Sequence, residues 1–309
     1  MTARILHGKP IADAIKEEVA EEIADLNEVH GFTPCLAVVR VGEDPASAVY
    51  VKNKVRTSEE LGIISEHLHL EAETSQDELE RRVDELSKRN DVDGILVQLP
   101  LPPHIDERKI LERIDPEKDV DGFSSINVGR LMQGRESLAP CTPAGVIEIL
   151  TRSQIEIAGK HAVIVGRSNI VGKPMSMMFL KENATVTICH SHTRGLSEIT
   201  QTADILVAAI GRAGFIGAEH IPVGSTVIDV GINRVSDVKM AHKLFGDDLE
   251  NRIATIERLG ATLVGDVNPM AALAKASNYT PVPGGIGLLT VAMLMRNTVT
   301  AAKERRRID

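Results

Sequence analysis

Four polar residues in the first half of the chain can be read together as a reaction site. Tyr50 and Lys54 stand four residues apart in a stretch with helical character, which puts them on one helix face. Gln98 closes the apolar run GILVQLP, and Asp121 follows in the loop DPEKDVDGF. Ends of parallel strands are where α/β folds collect ligands. A primary amine that can carry a proton, an amide that can orient it, a phenol ring that can stack and a carboxylate that can accept hydrogen bonds are the parts of a proton-transfer site. Each residue also has a structural reading: Tyr50 as an amphipathic surface residue, Lys54 as a solvated charge, Gln98 as a strand terminus and Asp121 as a turn former.

A second constellation lies in HAVIVGRSNIVGKPMSMMFL, which runs from an apolar strand through a glycine-containing turn into an amphipathic helix. Backbone N–H groups at such a helix start favour a pyrophosphate. The spacing, Gly166 and Gly172 with Ser168 between, is not GxGxxG. An NAD-preferring fold usually carries an acid about 20 residues on to hold the ribose 2′-hydroxyl, whereas this chain has Cys189-His190-Ser191-His192. A 2′-phosphate between Arg167 and Ser191 would meet no repelling carboxylate, which points to NADP. In the other reading, Arg167 covers the helix end and faces solvent. The pairs His67/His69 and His190/His192 invite a metal, but two nitrogens make an incomplete ligand set, so no metal is expected.

The elements that must position these residues follow an α/β pattern. CLAVVRVG, IISEHLHL and GILVQLP alternate with helical stretches, among them SAVYVKNKVRTSEELG, closed by Gly62, and SQDELERRVDELSKRN, with Leu79, Val83 and Leu86 at helical spacing. A second series of strands, HAVIVG, ATVTICH, DILVAAIG and STVIDVG, follows PCTPAGVIEILTRS. The predicted architecture is therefore two domains: residues 1–139, an α/β catalytic domain completed by the last helix, 284–309, and residues 140–283, a Rossmann-like nucleotide-binding domain, with a cleft between them.

Composition narrows the classes. The 309 residues are 43% hydrophobic and 26% charged, with 2% aromatics, no Trp and a net charge of -9. That excludes a disordered chain, argues against an aromatic platform for single-stranded nucleic acid and against a duplex or membrane binder, and leaves a local basic site for one phosphate. Cys35, Cys141 and Cys189 are odd in number and far apart, as expected of reduced thiols in the cytoplasm. MTARILHGKPIADAIK lacks the apolar core of a signal peptide, and no apolar run approaches the roughly 18 residues of a membrane span. The basic ending, Lys303 to Arg307, reads as a solvated helix end.

The strings DPASAVYVKNK, VQLPLP, DVDGF, PCTPAG, GRSNIVGKP, VIDVGIN, LVGDV and TPVPGG occur in the order found in the bifunctional methylenetetrahydrofolate dehydrogenase/methenyltetrahydrofolate cyclohydrolase family, and the resemblance covers nearly the whole chain. It implies that Tyr50, Lys54, Gln98 and Asp121 form the folate site, with Pro283 and Thr290 lining the same cleft, and that Gly166, Arg167, Ser168, Ser191 and Ile232 lie along the dinucleotide. It also implies a homodimer. In that chemistry a nicotinamide takes hydride from the methylene carbon, a step that needs close positioning. Lys54 is then expected to serve the hydrolysis of the methenyl cation, because a cationic substrate beside it favours the neutral amine. Gln98 would orient the amine, Tyr50 stack on the folate, and Asp121 accept from the pterin N–H groups.

Two departures stand out. Leu288-Leu289-Thr290 replaces a Pro-led triplet, which is expected to relax the loop before the last helix. Residues 238–262 form an insertion-like stretch whose Leu249, Ile253, Ile256 and Leu259 suit a surface helix, with no chemistry assigned. Two other functions fit parts of the pattern: an NADP-dependent dehydrogenase of an amino or hydroxy acid, and a catalytically silent NADP-binding module, which should have lost Lys54 or Gln98.

Overall fold

A computed structural model describes residues 2–246 and 248–308, with the side chains of residues 45, 46, 47 and 49 left out of the description. In chain order the elements are β1 (Arg4–Ile5), α1 (Gly8–His30), β2 (Cys35–Val41), α2 (Pro45–Glu60), β3 (Ile64–Leu70), α3 (Gln76–Lys88), β4 (Gly94–Val97), α4 (Glu107–Leu111), α5 (Ser125–Met132) and α6 (Cys141–Arg152). They continue with β5 (His161–Val165), α7 (Gly172–Lys181), β6 (Thr185–Cys189), α8 (Leu196–Thr200), β7 (Ile205–Ala208), β8 (Thr226–Asp229), β9 (Asn233–Val235), α9 (Val238–Leu244), α10 (Leu249–Leu259), β10 (Thr262–Val264), α11 (Pro269–Lys275), β11 (Asn278–Tyr279) and α12 (Ile286–Arg306). Among the described residues no helix is long and apolar enough to cross a membrane. The chain divides into two compact units.

One unit comprises Ala12–Cys141 and the chain from Thr290 onward. Its sheet is parallel, in the order β3-β2-β4. The central strand CLAVVRV is buried at every position, the run expected of a parallel strand covered on both faces. Edge strand β3 instead alternates exposed and half-buried residues. Leu79, Val83 and Leu86 of α3 pack into the core with Val39, Ile95 and Val97, as their spacing predicts. Ser75 caps that helix by accepting from the Glu78 amide at 3.2 Å.

The basic ending is not the solvated helix end expected from its charge run. Asp93 is fully buried and accepts from the Cys35 amide at 3.0 Å and from Arg305 Nη1 at 2.7 Å, with Arg306 Nη1 as a third donor. Arg305 also donates to the Val92 carbonyl, and Arg306 lies over the Phe32 ring at 4.0 Å. A carboxylate buried at the start of β4 needs cations, and the end of α12 supplies them.

The other unit comprises Thr142–Leu289 and the N-terminal residues up to Ile11. Its main sheet has six strands, all parallel, in the order β1-β11-β8-β7-β5-β6. The chain start, expected within the first domain, instead joins this sheet: β1 pairs with β11, Arg4 opposite Asn278 and Ile5 opposite Tyr279. A two-residue strand is too short for alternation to reveal it. The insertion-like stretch is two helices, α9 and α10. They share a small core of Ala241, Leu244, Phe245 and Ile256 with Val235 and Val264 of the β9/β10 hairpin, and Leu259 faces solvent.

The Asp93 arrangement predicts that Asp93→Ala, which strands two partly buried guanidinium groups, costs about 3 kcal/mol of stability. Urea unfolding followed by circular dichroism checks this; a loss below about 1 kcal/mol contradicts it.

Candidate active site

Lys54 lies two turns before the end of α2, and its Nζ donates to Gln98 Oε1 at 3.1 Å. Gln98 is the residue after β4, tied in place by its own amide to the Val39 carbonyl at 2.8 Å. Its Nε2 donates to the Leu99 carbonyl at 2.7 Å, which leaves Oε1 as the face turned to the amine. Tyr50, one turn ahead of Lys54, is half-buried, and burial raises its hydroxyl pKa.

Asp121 is brought alongside by a strapped loop. Asp119 forms a parallel bridge with Ile95, and the Ile95 amide donates to the Lys118 carbonyl at 2.7 Å, so the chain runs beside β4 just before Asp121. The buried Asp119 carboxylate then accepts from the amides of Phe123 and Ser124 and from Asn127 Nδ2, at 3.1, 2.8 and 3.0 Å, fixing the turn. Asn297 of α12 clamps the same loop by donating to the Val120 and Ala139 carbonyls. Asp121 keeps some surface open, yet its carboxyl is packed round closely enough that burial pushes its pKa up to about 6. Lys54 draws that value down and Asp119 adds to the rise. Lys54, Gln98 and Asp121 are thus one electrostatic group.

In the other unit the turn after β5 has the form a pyrophosphate needs. Gly166 has φ +138, and a Cβ there would stand 2.1 Å from the Ala209 carbonyl oxygen, so only glycine allows the strands to close up. The Ser168 hydroxyl accepts from the Val171 and Gly172 amides at 3.1 and 3.4 Å and shapes the entry to α7. Arg167 and Ser168 are exposed. Val165 and Cys189 are in register, and the Gly166 amide donates to the Cys189 carbonyl at 2.9 Å, so the turns bearing Arg167 and Ser191 leave neighbouring strand ends. Ser191 is exposed there, and Ile232 is 43% exposed beyond β8. These residues fit a dinucleotide carrying a 2′-phosphate.

Two buried carboxylates that sequence reading passed over hold the remaining loops of this unit. Asp229 accepts from the amides of Gly231, Asp266 and Val267 at 3.0, 2.8 and 3.0 Å. Asp266 accepts from those of Ile210, Gly211 and Arg212 at 2.6, 2.9 and 2.7 Å and from Asn233 Nδ2 at 3.0 Å. Burial pushes the Asp229 carboxyl up to about 8, whereas its three amide donors favour the charged form. A Cβ at Gly265 would meet the Asp229 carboxylate at 1.8 Å, which explains the glycine in LVGDV. The signal was present in VIDVGIN and LVGDV, but an acid inside an apolar string looks the same whether it anchors loops or binds a ligand.

The loop carrying Pro283 is held from the insertion: Arg252 of α10 donates to the Val282 carbonyl at 3.3 Å and the Leu263 carbonyl at 3.0 Å. Pro283 is exposed, and Thr290, within α12, is half-buried. Leu288 does not loosen the loop as expected. Its amide donates to the Gly285 carbonyl at 3.3 Å, a bond that proline at this position could not make. His67 and His69 stack on each other, ring centres 6.1 Å apart, with His69 bonded to Arg40.

Comparison with known proteins identifies the family. The family model described as "Tetrahydrofolate dehydrogenase/cyclohydrolase, catalytic domain" matches residues 6–121, and that described as "Tetrahydrofolate dehydrogenase/cyclohydrolase, NAD(P)-binding domain" matches residues 140–306. A protein of Koribacter versatilis named bifunctional protein FolD is 53% identical, over 99% of both chains. The crystal structure of the bifunctional FolD enzyme from Campylobacter jejuni is 43% identical with a TM-score of 0.88, covering 98% of this chain and 99% of that one. The methylenetetrahydrofolate dehydrogenase-cyclohydrolase of Trypanosoma brucei, crystallised with NADP and an inhibitor, is 37% identical with a TM-score of 0.89, covering 99% of each. With both halves matched and near-complete coverage of its relatives, the chain belongs to the tetrahydrofolate dehydrogenase/cyclohydrolase family.

Proposed function

We propose that the chain oxidises 5,10-methylenetetrahydrofolate with NADP and hydrolyses the resulting 5,10-methenyltetrahydrofolate to 10-formyltetrahydrofolate. The observation that carries this reading is the Lys54 amine held by Gln98 at 3.1 Å beside the half-buried Asp121. A silent nucleotide-binding module would have no reason to keep that arrangement. The family match, and not an amino or hydroxy acid site, sets the substrate class.

In this reading the folate site belongs to the unit with Ala12–Cys141, and the dinucleotide site to the unit with Thr142–Leu289. When bound, NADP supplies the hydride acceptor for the methylene carbon. Gly166, Ser168 and Ile232 line its path, and Arg167 with Ser191 receives the 2′-phosphate, where the Cys189–His192 stretch puts no carboxylate in its way. Thr290 bounds the folate, Tyr50 stacks on it, and Asp121 accepts hydrogen bonds from the pterin amino group and ring N–H.

Loss of hydride leaves a cation shared by two nitrogens. Water attacks its central carbon and gives a proton to the Lys54 amine, which Gln98 keeps aimed. The carbinolamine then collapses: its hydroxyl proton leaves as the bond to the ring N5 breaks and N5 takes up a proton. The formyl group stays on N10, and one proton is released overall. The protein acts as a cytoplasmic homodimer. Buried, unpaired Cys35, Cys141 and Cys189 suit a reducing compartment, and cyclic dimers are the commonest assemblies. The net charge of -9 supports no nucleic-acid partner.

Lys54→Met should stay folded and lower hydrolysis of the methenyl substrate by about 10²- to 10⁴-fold, with NADPH formation less affected. Parallel assays of the two steps check this, and undiminished hydrolysis rejects the role. Arg167→Ala should raise the KM for NADP by about tenfold while leaving that for NAD nearly unchanged. A parent enzyme that uses both cofactors equally contradicts the assignment.

A further inference from the structure

His67, His69 and the cationic surface around them take no part in the proposed reaction. Behind α2 lies a hollow of about 420 Å³, within the size range of small-ligand sites. Arg40 of β2 and His67 of β3 line it, with Val51, Lys52, Val55 and Arg56 of α2. On the 3.6-residue helical repeat these α2 positions fall on the side away from Tyr50 and Lys54, so the hollow is separate from the reaction site.

Arg40 is the unusual member. It is only 8% exposed, on a strand otherwise made of apolar residues and cysteine. Its Nη2 meets His69 Nε2 at 2.9 Å and Glu43 Oε2 at 3.4 Å, but its Nε is sealed from water with no hydrogen-bond partner. Glu43 is 75% exposed, so it neutralises the guanidinium weakly. A guanidinium this deeply buried is costly to leave weakly neutralised, and an anion in the hollow that Arg40 lines offsets that cost. The remaining wall charges are Lys52 and Arg56 against Glu59, with Arg56 also 3.4 Å from Glu60 across an exposed pair. Burial, then Arg40 and His69, lowers the pKa of His67, which leaves its neutral ring able to donate.

We propose that this hollow binds a small organic oxyanion, its charged end on the Arg40 guanidinium and its apolar body against Val51 and Val55. Lys52 and Arg56 close over the charge from α2. Because Arg40 sits on β2 and the other cations on α2, the occupant ties the sheet to the back of the helix that carries Lys54.

Isothermal titration of the full chain with glutarate, and separately with inorganic phosphate, tests this. Saturable glutarate binding, tighter than phosphate, is expected. Arg40→Met should weaken it at least about tenfold, the value of a charged hydrogen bond. Should Arg40→Met fail to fold, the surface variant Lys52→Gln/Arg56→Gln should still weaken binding about threefold. Lys54→Met should leave the affinity unchanged, because the reaction site lies on the other side of α2. Phosphate binding as tightly as glutarate overturns the organic body. No saturable heat from either anion, or an affinity unaltered in the double variant, overturns the site.

Discussion

The contact on which the rest depends is a single hydrogen bond from an amine to an amide oxygen. A lysine on a helix surface samples many rotamers, and an amine that wanders cannot meet a water molecule on one carbon of a bound pterin. Gln98 removes that freedom without adding charge, since its other amide end is already committed to the Leu99 carbonyl. An Asp in its place would fix the lysine as an ammonium ion, and an apolar residue would release it. Burial raises the Asp121 carboxyl pKa only to about 6, so it stays mostly ionised near pH 7 and lies beside the amine as its counter-charge.

Within each unit, holding the loops in place falls to buried carboxylates, each set on a strand end or on the loop beside one. Asp119 anchors the turn that presents Asp121, Asp93 draws the end of α12 onto the start of β4, and Asp229 and Asp266 gather amides from the loops after β7 and β8. Asp119, Asp229 and Asp266 share a physical reason: such loops expose backbone N–H groups, and an acceptor with several lone pairs satisfies two or three of them at once, whereas Asp93 takes one amide and two guanidinium groups. In this unit architecture the same residue type serves chemistry in one place and scaffolding in another. Neighbouring donors, rather than residue type, tell them apart.

That distinction decides how much the sequence could disclose. The period-2 and period-3.6 patterns revealed the main strands and α3, and four-residue spacing put Tyr50 and Lys54 on one face. Gln98 and Asp121 stood out as polar groups just past an apolar strand and in a turn. Partnerships between remote positions were out of reach. Asp93 and Arg305 lie 212 residues apart, and a run of basic residues at a helix end has the same appearance whether it meets water or a buried acid. The pairing of β1 with β11 depends on two residues, too few for any periodicity. The strapping of the Val282 loop by Arg252 depends on an insertion whose amphipathic pattern explained its packing but gave no hint of that reach.

An amine at this place, and nothing else about residue 54, is proposed to perform the hydrolytic proton transfer. Chemical rescue tests it most directly: adding ethylamine to the Lys54→Ala enzyme and following loss of the methenyl substrate. Hydrolysis should rise with ethylamine concentration and be lost again when Gln98 is also replaced by leucine. Hydrolysis that stays absent at every amine concentration, in a variant that still oxidises the methylene substrate, contradicts it.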